Sequence, residues 1–424
     1  MRAALAGGHL PARLHPDGAR RRRIHHREDH AMNRLRYPAT AQDWREQARR
    51  RLPRFLFDFL DGGAGDERTL AANVQAWGQT ALRQRVLVDV SQVDTRTRLA
   101  GQDCALPLAL APVGLAGMMA RRGEAQAMRA ASHAGVPFTL STVGICALPE
   151  VRAAAPAGAP PPWFQLYMLR DRGAVRALLE QAWQAGCRTL VFTVDLPLPG
   201  MRQRDVRNGM AHQGARPALL RAAQVLARPG WVWDVALRGK PLSFGSLASQ
   251  VPGGRDLGAF KAWVDAQFDP GVTWRDIDWL RGQWRGRLLL KGILDEQDAR
   301  AAVAAGAEGI VVSNHGGRQL DGVAATAAAL PAIARAVGGQ VEVLVDGGVR
   351  SGTDLFRALA LGARGVLIGR PWIWALAGGG EAGVRQLLAS WQRELLLAMT
   401  LTGVTRVADI GPDQLDRVSS QIGL

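Results

Sequence analysis

The sequence predicts an α/β fold, a (β/α)8 TIM barrel with an N-terminal helical segment and a long insertion after strand 4. Three observations predict it. Eight short, near-continuous apolar runs alternate with alanine-rich helical patterns, which signals parallel pairing. The runs start 21–32 residues apart, except for one gap of 99, and a βα unit needs about 30 residues. Polar residues gather at the C-terminal ends of the runs, where a barrel builds its site.

The runs read as strands over Leu106–Gly114, Pro137–Thr142, Trp163–Met168, Thr189–Asp195, Leu288–Ile293, Gly309–His315, Val341–Gly348 and Gly365–Arg370. Helical patterns lie at Gly123–Gly135, Asp171–Gly186, Asp295–Gly306, Thr326–Val337 and Ser351–Gly362. Ser351 with Asp354 forms a capping-box signal, and Gly135, Gly186, Gly306 and Gly362 sit where helices end. A doubly wound sheet is the rival architecture. Its phosphate signature matches only at Gly378 to Gly383, after a Trp-rich helical stretch rather than a strand, and we read that match as a loop. A helical segment over about 40–90 precedes the barrel. The insertion runs over about 203–275 and falls on the face that carries active-site loops. Within it, Pro217 to Arg228 reads as a helix with Arg221, Gln224 and Arg228 on one narrow face and apolar residues elsewhere. Trp231 and Trp233 follow. This pattern suits an interfacial membrane helix, and equally a helix packed on the barrel or on a neighbouring subunit.

Composition narrows the class. With 424 residues, 47% hydrophobic and 21% charged, the chain is neither disordered nor fibrous. Three cysteines, Cys104, Cys146 and Cys187, argue against a disulfide framework and for a reducing compartment. The longest nearly apolar run, Cys104 to Ala120, is broken by Pro107 and Pro112, so no membrane-spanning helix is expected. The net charge is +16, nearly all arginine, with Lys240, Lys261 and Lys291 as the only lysines. No basic run is interleaved with aromatics, so a specific nucleic-acid partner is not expected. No metal site is expected. Residues 1–31 hold five of the eight histidines and the run Arg20–Arg23. They read as a disordered basic extension, or as sequence upstream of a true start at Met32. Residues 32–424 then form the barrel domain.

The strand ends carry Pro112, Ser141, Gln165 with Tyr167, Thr193 with Asp195, Lys291, His315 with Arg318, Asp346 with Arg350, and Gly369 with Arg370. Lys291 closes an apolar strand, and an ammonium there can stabilise an anion in a low-dielectric pocket. His315 can take a proton near neutral pH. Arg318, three residues on, offers a fork that matches a carboxylate. The ends of strands seven and eight are the usual phosphate site of a barrel. Physics alone delivers a phosphorylated, hydroxyl-bearing ligand beside a His/Arg/Lys site.

At these residues the chain resembles the FMN-dependent α-hydroxy-acid dehydrogenase and oxidase family, from about Arg49 to about Ile410. The resemblance lies in Ser313-Asn-His-Gly-Gly-Arg-Gln-Leu-Asp-Gly322, Trp163-Phe-Gln-Leu-Tyr167, Phe192-Thr-Val-Asp195 and Leu110-Ala-Pro-Val-Gly-Leu115. Gly117-Met-Met-Ala-Arg-Arg-Gly-Glu124, Tyr167-Met-Leu-Arg-Asp-Arg-Gly173 and the insertion look most like the bacterial membrane-associated L-lactate dehydrogenases. The resemblance implies FMN. Pro112, Val113 and Gly114 with Ser141, Gln165 and Thr193 would hold the ring, and Lys291 would sit near its pyrimidine end. Asp346, Gly347, Gly348, Arg350, Gly369 and Arg370 would bind the ribityl phosphate. His315 would be the base, paired with Asp195. Arg318 and Arg202 would hold the substrate carboxylate, and Tyr167 would bond the substrate oxygen. It implies oxidation of an L-2-hydroxy acid, lactate first, to the 2-oxo acid. Electrons would pass to a membrane quinone or another respiratory carrier. The implied enzyme is cytoplasmic, peripheral on the inner face of the cell membrane through about 212–250, and homo-oligomeric.

One position departs from the pattern. The family usually has tyrosine where this chain has Phe59, in Phe57-Asp-Phe59-Leu-Asp-Gly-Gly-Ala64, and the only tyrosines are Tyr37 and Tyr167. A lost hydrogen bond to a charged group costs about 1.5–3 kcal/mol. A raised KM for lactate, or a preference for a larger, less polar acid, is expected. The competing readings are an oxidase that uses O₂, a mandelate-type dehydrogenase, and a flavin-binding protein without turnover.

Overall fold

The computed structural model describes residues 37–212, 214–248 and 266–416. The expectations for residues 1–31, and the part of the insertion over 249–265, lie outside the described residues. A short antiparallel hairpin, β1 (Thr97–Leu99) and β2 (Gln102–Cys104), precedes eight strands. These are β3 (Leu108–Leu110), β4 (Thr139–Ser141), β5 (Trp163–Leu166), β6 (Thr189–Thr193), β7 (Arg287–Ile293), β8 (Gly309–Val312), β9 (Glu342–Val345) and β10 (Gly365–Ile368). They pair in parallel in the order β3-β10-β9-β8-β7-β6-β5-β4. A parallel bridge from Leu110 to Phe138 completes the ring.

The sequence explains why the barrel is filled as it is. Side chains alternate across a strand, so every second residue points inward. Ala109, Trp163, Val191, Leu289, Val311, Leu344 and Leu367 form an interior cluster with Leu99 and Cys104 of the hairpin, which closes one end. Two residues further along each strand, the same inward rows present Ser141, Gln165, Thr193, Lys291, Ser313, Asp346 and Gly369. The apolar interior is therefore roofed by a polar layer at the C-terminal ends. Leu108, Leu110, Leu190, Leu288, Leu290, Ile310 and Val366 face outward into the larger core under the helices.

The surrounding helices begin and end where their caps dictate. Asp171 accepts from the Gly173 and Ala174 amides, and Asp295 from Gln297 and Asp298. Ser351 accepts from the Asp354 amide. Such caps each contribute about 1 kcal/mol. The N-terminal segment holds α1 (Ala41–Arg51), α2 (Arg54–Asp61) and α3 (Arg68–Gly78). Trp44 of α1 packs against the C-terminal helix Arg370–Thr402 at Gly378, Gly379 and Gly383. A Cβ on Gly379 would lie 2.9 Å from the Trp44 ring. The glycine match at Gly378–Gly383 is thus no loop. It lies inside a helix kinked at Gly380, where φ is 64° and ψ is −150°, and its small residues admit an indole.

Candidate active site

The strands stop earlier than the apolar runs suggest, because the chain turns to put polar groups over the barrel mouth. The β8 ladder ends at Val312, and His315 adopts a left-handed φ of 57°, which no strand can continue. Its loop is pinned from below. Asn314 and Asn73 of α3 exchange side-chain hydrogen bonds of 2.8 and 2.9 Å. Asp321 accepts from the amides of Asp66 and Thr69.

The polar roof is internally bonded. Ser141 Oγ donates to Gln165 Oε1 over 3.0 Å, and Gln165 Nε2 donates to Thr193 Oγ1 over 3.1 Å. Lys291 Nζ donates to Ser313 Oγ over 3.1 Å and lies 2.9 Å from Asp346 Oδ2. Burial would lower the Lys291 pKa, but Asp346 and Asp195 outweigh it and hold the ammonium above its ordinary value. Above this layer, His315 Nδ1 lies 2.8 Å from Asp195 Oδ1. Burial would raise the Asp195 carboxyl, but His315 and Lys291 keep it below the usual range. Burial pushes the Tyr167 hydroxyl up to about 12, and its ring meets Phe268 edge-on at 5.3 Å.

Two groups of guanidiniums line the same mouth. Arg318 Nη1 donates to the carbonyls of Phe59 and Gly62 over 2.7 and 2.9 Å. Arg370 donates to the carbonyls of Asp61, Gly316 and Gly62. The C-terminal end of α2, a carbonyl-rich and negative pole, thus receives both. Arg202 and Arg318 lie on the Phe59 ring, 5.6 and 5.1 Å from its centroid. Arg350 lies 5.0 Å from the Trp374 ring centroid. Burial lowers Arg318 well below its ordinary value, Arg350 to about 10 and Arg370 to about 9. Among the described residues none of these three has an ion-pair partner. Buried cations left in this state suit an incoming anion.

The structure thus brings together the predicted Tyr167, Asp195, His315, Arg318, Arg202, Phe59, Ser141, Gln165, Thr193, Lys291, Asp346, Arg350 and Arg370. Pro112, Val113 and Gly114 follow β3 at the same mouth, and Gly347 and Gly348 follow β9 with φ of 94° and 82°. Three residues were missed by sequence reasoning. Ser313 bridges Lys291 and the His315 amide. Asp205 holds Arg202 at 2.8 Å. Gly292 makes room for Asp195. The inward alternation from Val311 could have found Ser313, and the i, i+3 spacing from Arg202 could have found Asp205.

The donor set fits a phosphorylated flavin. A polar row, a buried ammonium and, among the described residues, an Asp346 oxygen without a partner and two arginines without an ion-pair partner line one cleft. No side chain would crowd Gly369, where an added Cβ meets nothing within 4 Å. Residues 48–417 match the FMN-dependent dehydrogenase family profile. The chain belongs to the FMN-dependent dehydrogenases. It is 56% identical over 379 residues to an L-lactate dehydrogenase of Caulobacter sp. (strain K31), covering 89% of this chain and 97% of that one. It is 53% identical over 377 residues to an L-lactate dehydrogenase of Stenotrophomonas maltophilia (strain R551-3), covering 89% and 98%. Among solved structures, the monotopic membrane protein (S)-mandelate dehydrogenase superposes with a TM-score of 0.82 at 32% identity, covering 89% of this chain and 99% of that one. A mandelate oxidase superposes with a TM-score of 0.75 at 40% identity, covering 90% and 98%. The cofactor of this family member is FMN.

Proposed function

We propose that the chain oxidises an L-2-hydroxy acid, L-lactate first, to the 2-oxo acid and passes the electrons to a membrane quinone or another respiratory carrier. The observation that carries this reading is the His315–Asp195 pair beside Arg318 and Arg202 at one barrel mouth. His315 accepts the substrate hydroxyl proton, and the Asp195 carboxylate stabilises the imidazolium that forms. Arg318 and Arg202 hold the substrate carboxylate, with the Phe59 ring beneath both. Tyr167, protonated at working pH, donates to the substrate oxygen. FMN supplies the acceptor for the two electrons. Ser141, Gln165 and Thr193, with the backbone of Pro112, Val113 and Gly114, hold its ring. Lys291 serves the pyrimidine end. Arg350 and Arg370, with the backbone of Gly347, Gly348 and Gly369, would hold the phosphate, and Asp346 would accept from the ribityl hydroxyls.

A larger acid such as mandelate is the second reading. Phe59 favours it, since its ring offers the substrate an apolar face and no hydroxyl donor. The test is anaerobic mixing of the purified yellow protein with L-lactate and with (S)-mandelate. Bleaching of the flavin band by lactate supports the first reading, and bleaching by mandelate alone moves the assignment to the second. No bleaching by any 2-hydroxy acid removes both, and peroxide formed during aerobic turnover moves the enzyme to the oxidases. His315→Gln should keep the flavin spectrum and lose about 10²–10⁴ in rate.

Contact with a membrane is part of the same proposal. Helix Ala215–Leu226 is turned inside out. Arg221 donates to the Gly209 and His212 carbonyls, Gln224 accepts from the Phe55 amide, and Arg228 donates to the Leu52 carbonyl. Its apolar side faces outward, with Leu219 71% and Leu226 76% exposed, and Trp233 beyond it is 62% exposed. An apolar face turned to solvent beside a tryptophan suits the lipid interface. Among the described residues no helix is long and apolar enough to cross a membrane.

A further inference from the structure

The short helix Gln203–Arg207 starts directly after the loop that follows β6, with Arg202 at its N-cap. Asp205 lies one turn in, so its carboxylate comes back to the Arg202 side chain. Arg202 Nε donates to Asp205 Oδ2 over 2.8 Å. Asp205 is only 7% exposed, and its other oxygen, Oδ1, has no hydrogen-bond partner among the described residues. A buried carboxylate satisfied on one oxygen alone is costly to keep. A purely structural acid at this place would be expected to bond through both oxygens.

The geometry around Arg202 accounts for the cost. A guanidinium is a flat fork with five N–H donors. Engagement through Nε leaves both terminal amino groups of Arg202 without a partner among the described residues. The Phe59 ring lies against this guanidinium and against that of Arg318. Two cations on one ring repel each other. Asp205 is the acid paired with Arg202, and its charge also acts on Arg318. Without it, only the stack on the Phe59 ring would keep the flexible Arg202 side chain from swinging to solvent.

We propose that Asp205 is the positioning residue for carboxylate recognition: it holds Arg202 by Nε, aims the two terminal amino groups over the barrel mouth, and so sets the preference for a 2-hydroxy acid over its uncharged amide. The proposal rests on the reading that Arg202 meets the substrate carboxylate. Asp205 itself touches neither substrate nor reacting atoms.

The experiment is steady-state kinetics on the FMN-loaded protein and on Asp205→Asn, Arg202→Met and the double variant. L-lactate is the substrate, L-lactamide the competing ligand, and FMN content is read from visible absorption. Asp205→Asn should raise KM for L-lactate about tenfold or more, with kcat changed no more than about threefold. It should leave the inhibition constant of L-lactamide near that of the parent and add nothing on the Arg202→Met background. If Arg202→Met leaves KM unchanged, the reading of Arg202 fails and the proposal falls with it. If Arg202→Met raises KM but Asp205→Asn does not, the positioning role alone is overturned. The same holds if Asp205→Asn weakens lactate and lactamide equally, or if its effect multiplies with that of Arg202→Met. An Asp205→Asn chain that cannot retain FMN assigns Asp205 to folding and also overturns the proposal.

Discussion

At the scale of single residues, Phe59 and Tyr167 set the terms of substrate binding. Phe59 gives two guanidiniums an aromatic face but no hydroxyl donor. Phe59→Tyr should raise kcat/KM for L-lactate about tenfold, the value of one hydrogen bond to a charged group. No gain, or a loss, in steady-state assays would remove Phe59 from the determinants of substrate choice. Tyr167 is held protonated by burial to about 12, so its hydroxyl stays a donor throughout the assay range. Any alkaline limb of kcat/KM below about pH 10 then belongs to another group. Tyr167→Phe should lower kcat while leaving the shape of that profile unchanged, and disappearance of the limb in the variant would contradict this account. The identities of these residues were legible in the sequence. Their partners were not: residue 59 and residue 318 are far apart in the chain, and only folding stacks one on the other.

At the scale of elements, β7 and α2 do the positioning. The β7–β8 register shifts between Lys291 and Ile293, and the extra residue, Gly292, has φ of 112°. A Cβ there would lie 2.7 Å from Asp195 Cβ and Cγ. The bulge lets one strand aim Lys291 inward and still leave space for the carboxylate that His315 needs. Gly292→Ala should cut kcat at least about tenfold through the displaced Asp195, and a variant with parental kcat would show that the site tolerates the extra atom. The end of α2 is clamped by Asp61, which is 3% exposed and pairs with Arg45 at 2.6 Å and Arg204 at 2.8 Å. Burial would raise the Asp61 carboxyl, but the two arginines hold it below its ordinary value. Its folded value is depressed, so its contribution is complete above the unfolded value of about 3.9 and is lost as pH falls through the folded value. Asp61→Asn should cost about 3 kcal/mol near neutral pH. Its thermal midpoint should then fall less steeply than the parent's below about pH 4. Parallel acid limbs for the two proteins would argue against the clamp. Helix existence and spacing followed from caps and periodicity. The bulge did not, because Gly292 in an apolar run carries no local sign of which loop will close over it.

At the scale of the whole molecule, the barrel gathers its chemistry at one mouth and turns an apolar helix outward in the insertion after β6. The structure changes how the membrane proposal is best tested. Deleting 212–250 would remove Trp231 and Val235, which are buried, and the carbonyls of Gly239 and Pro241 that Arg122 holds. Leu219→Glu with Leu226→Glu alters only exposed side chains. That pair should abolish sedimentation with anionic vesicles and leave flavin reduction by substrate intact. Unchanged sedimentation would refute the helix as the anchor. The sequence puts Arg221, Gln224 and Arg228 on one narrow face of the insertion helix. In the fold that face turns inward, and Arg221 bonds the backbone carbonyls of Gly209 and His212.

Local pattern sufficed for the eight barrel strands, their parallel order, five of the surrounding helices and the row of polar groups at the strand ends, but not for the β1–β2 hairpin or the helices Leu148–Ala154 and Trp274–Gln283. Two-residue and 3.6-residue periods tell which way a side chain faces, and eight repeats of one unit leave few ways to close. Long-range packing decided the rest. It paired Lys291 with Asp346, set Arg202 and Arg318 on Phe59, placed Gly292 against Asp195, turned Arg221 inward and made a helix kink of the glycines at 378–383. A period specifies a face but never the partner across it, since that partner arrives from another part of the chain.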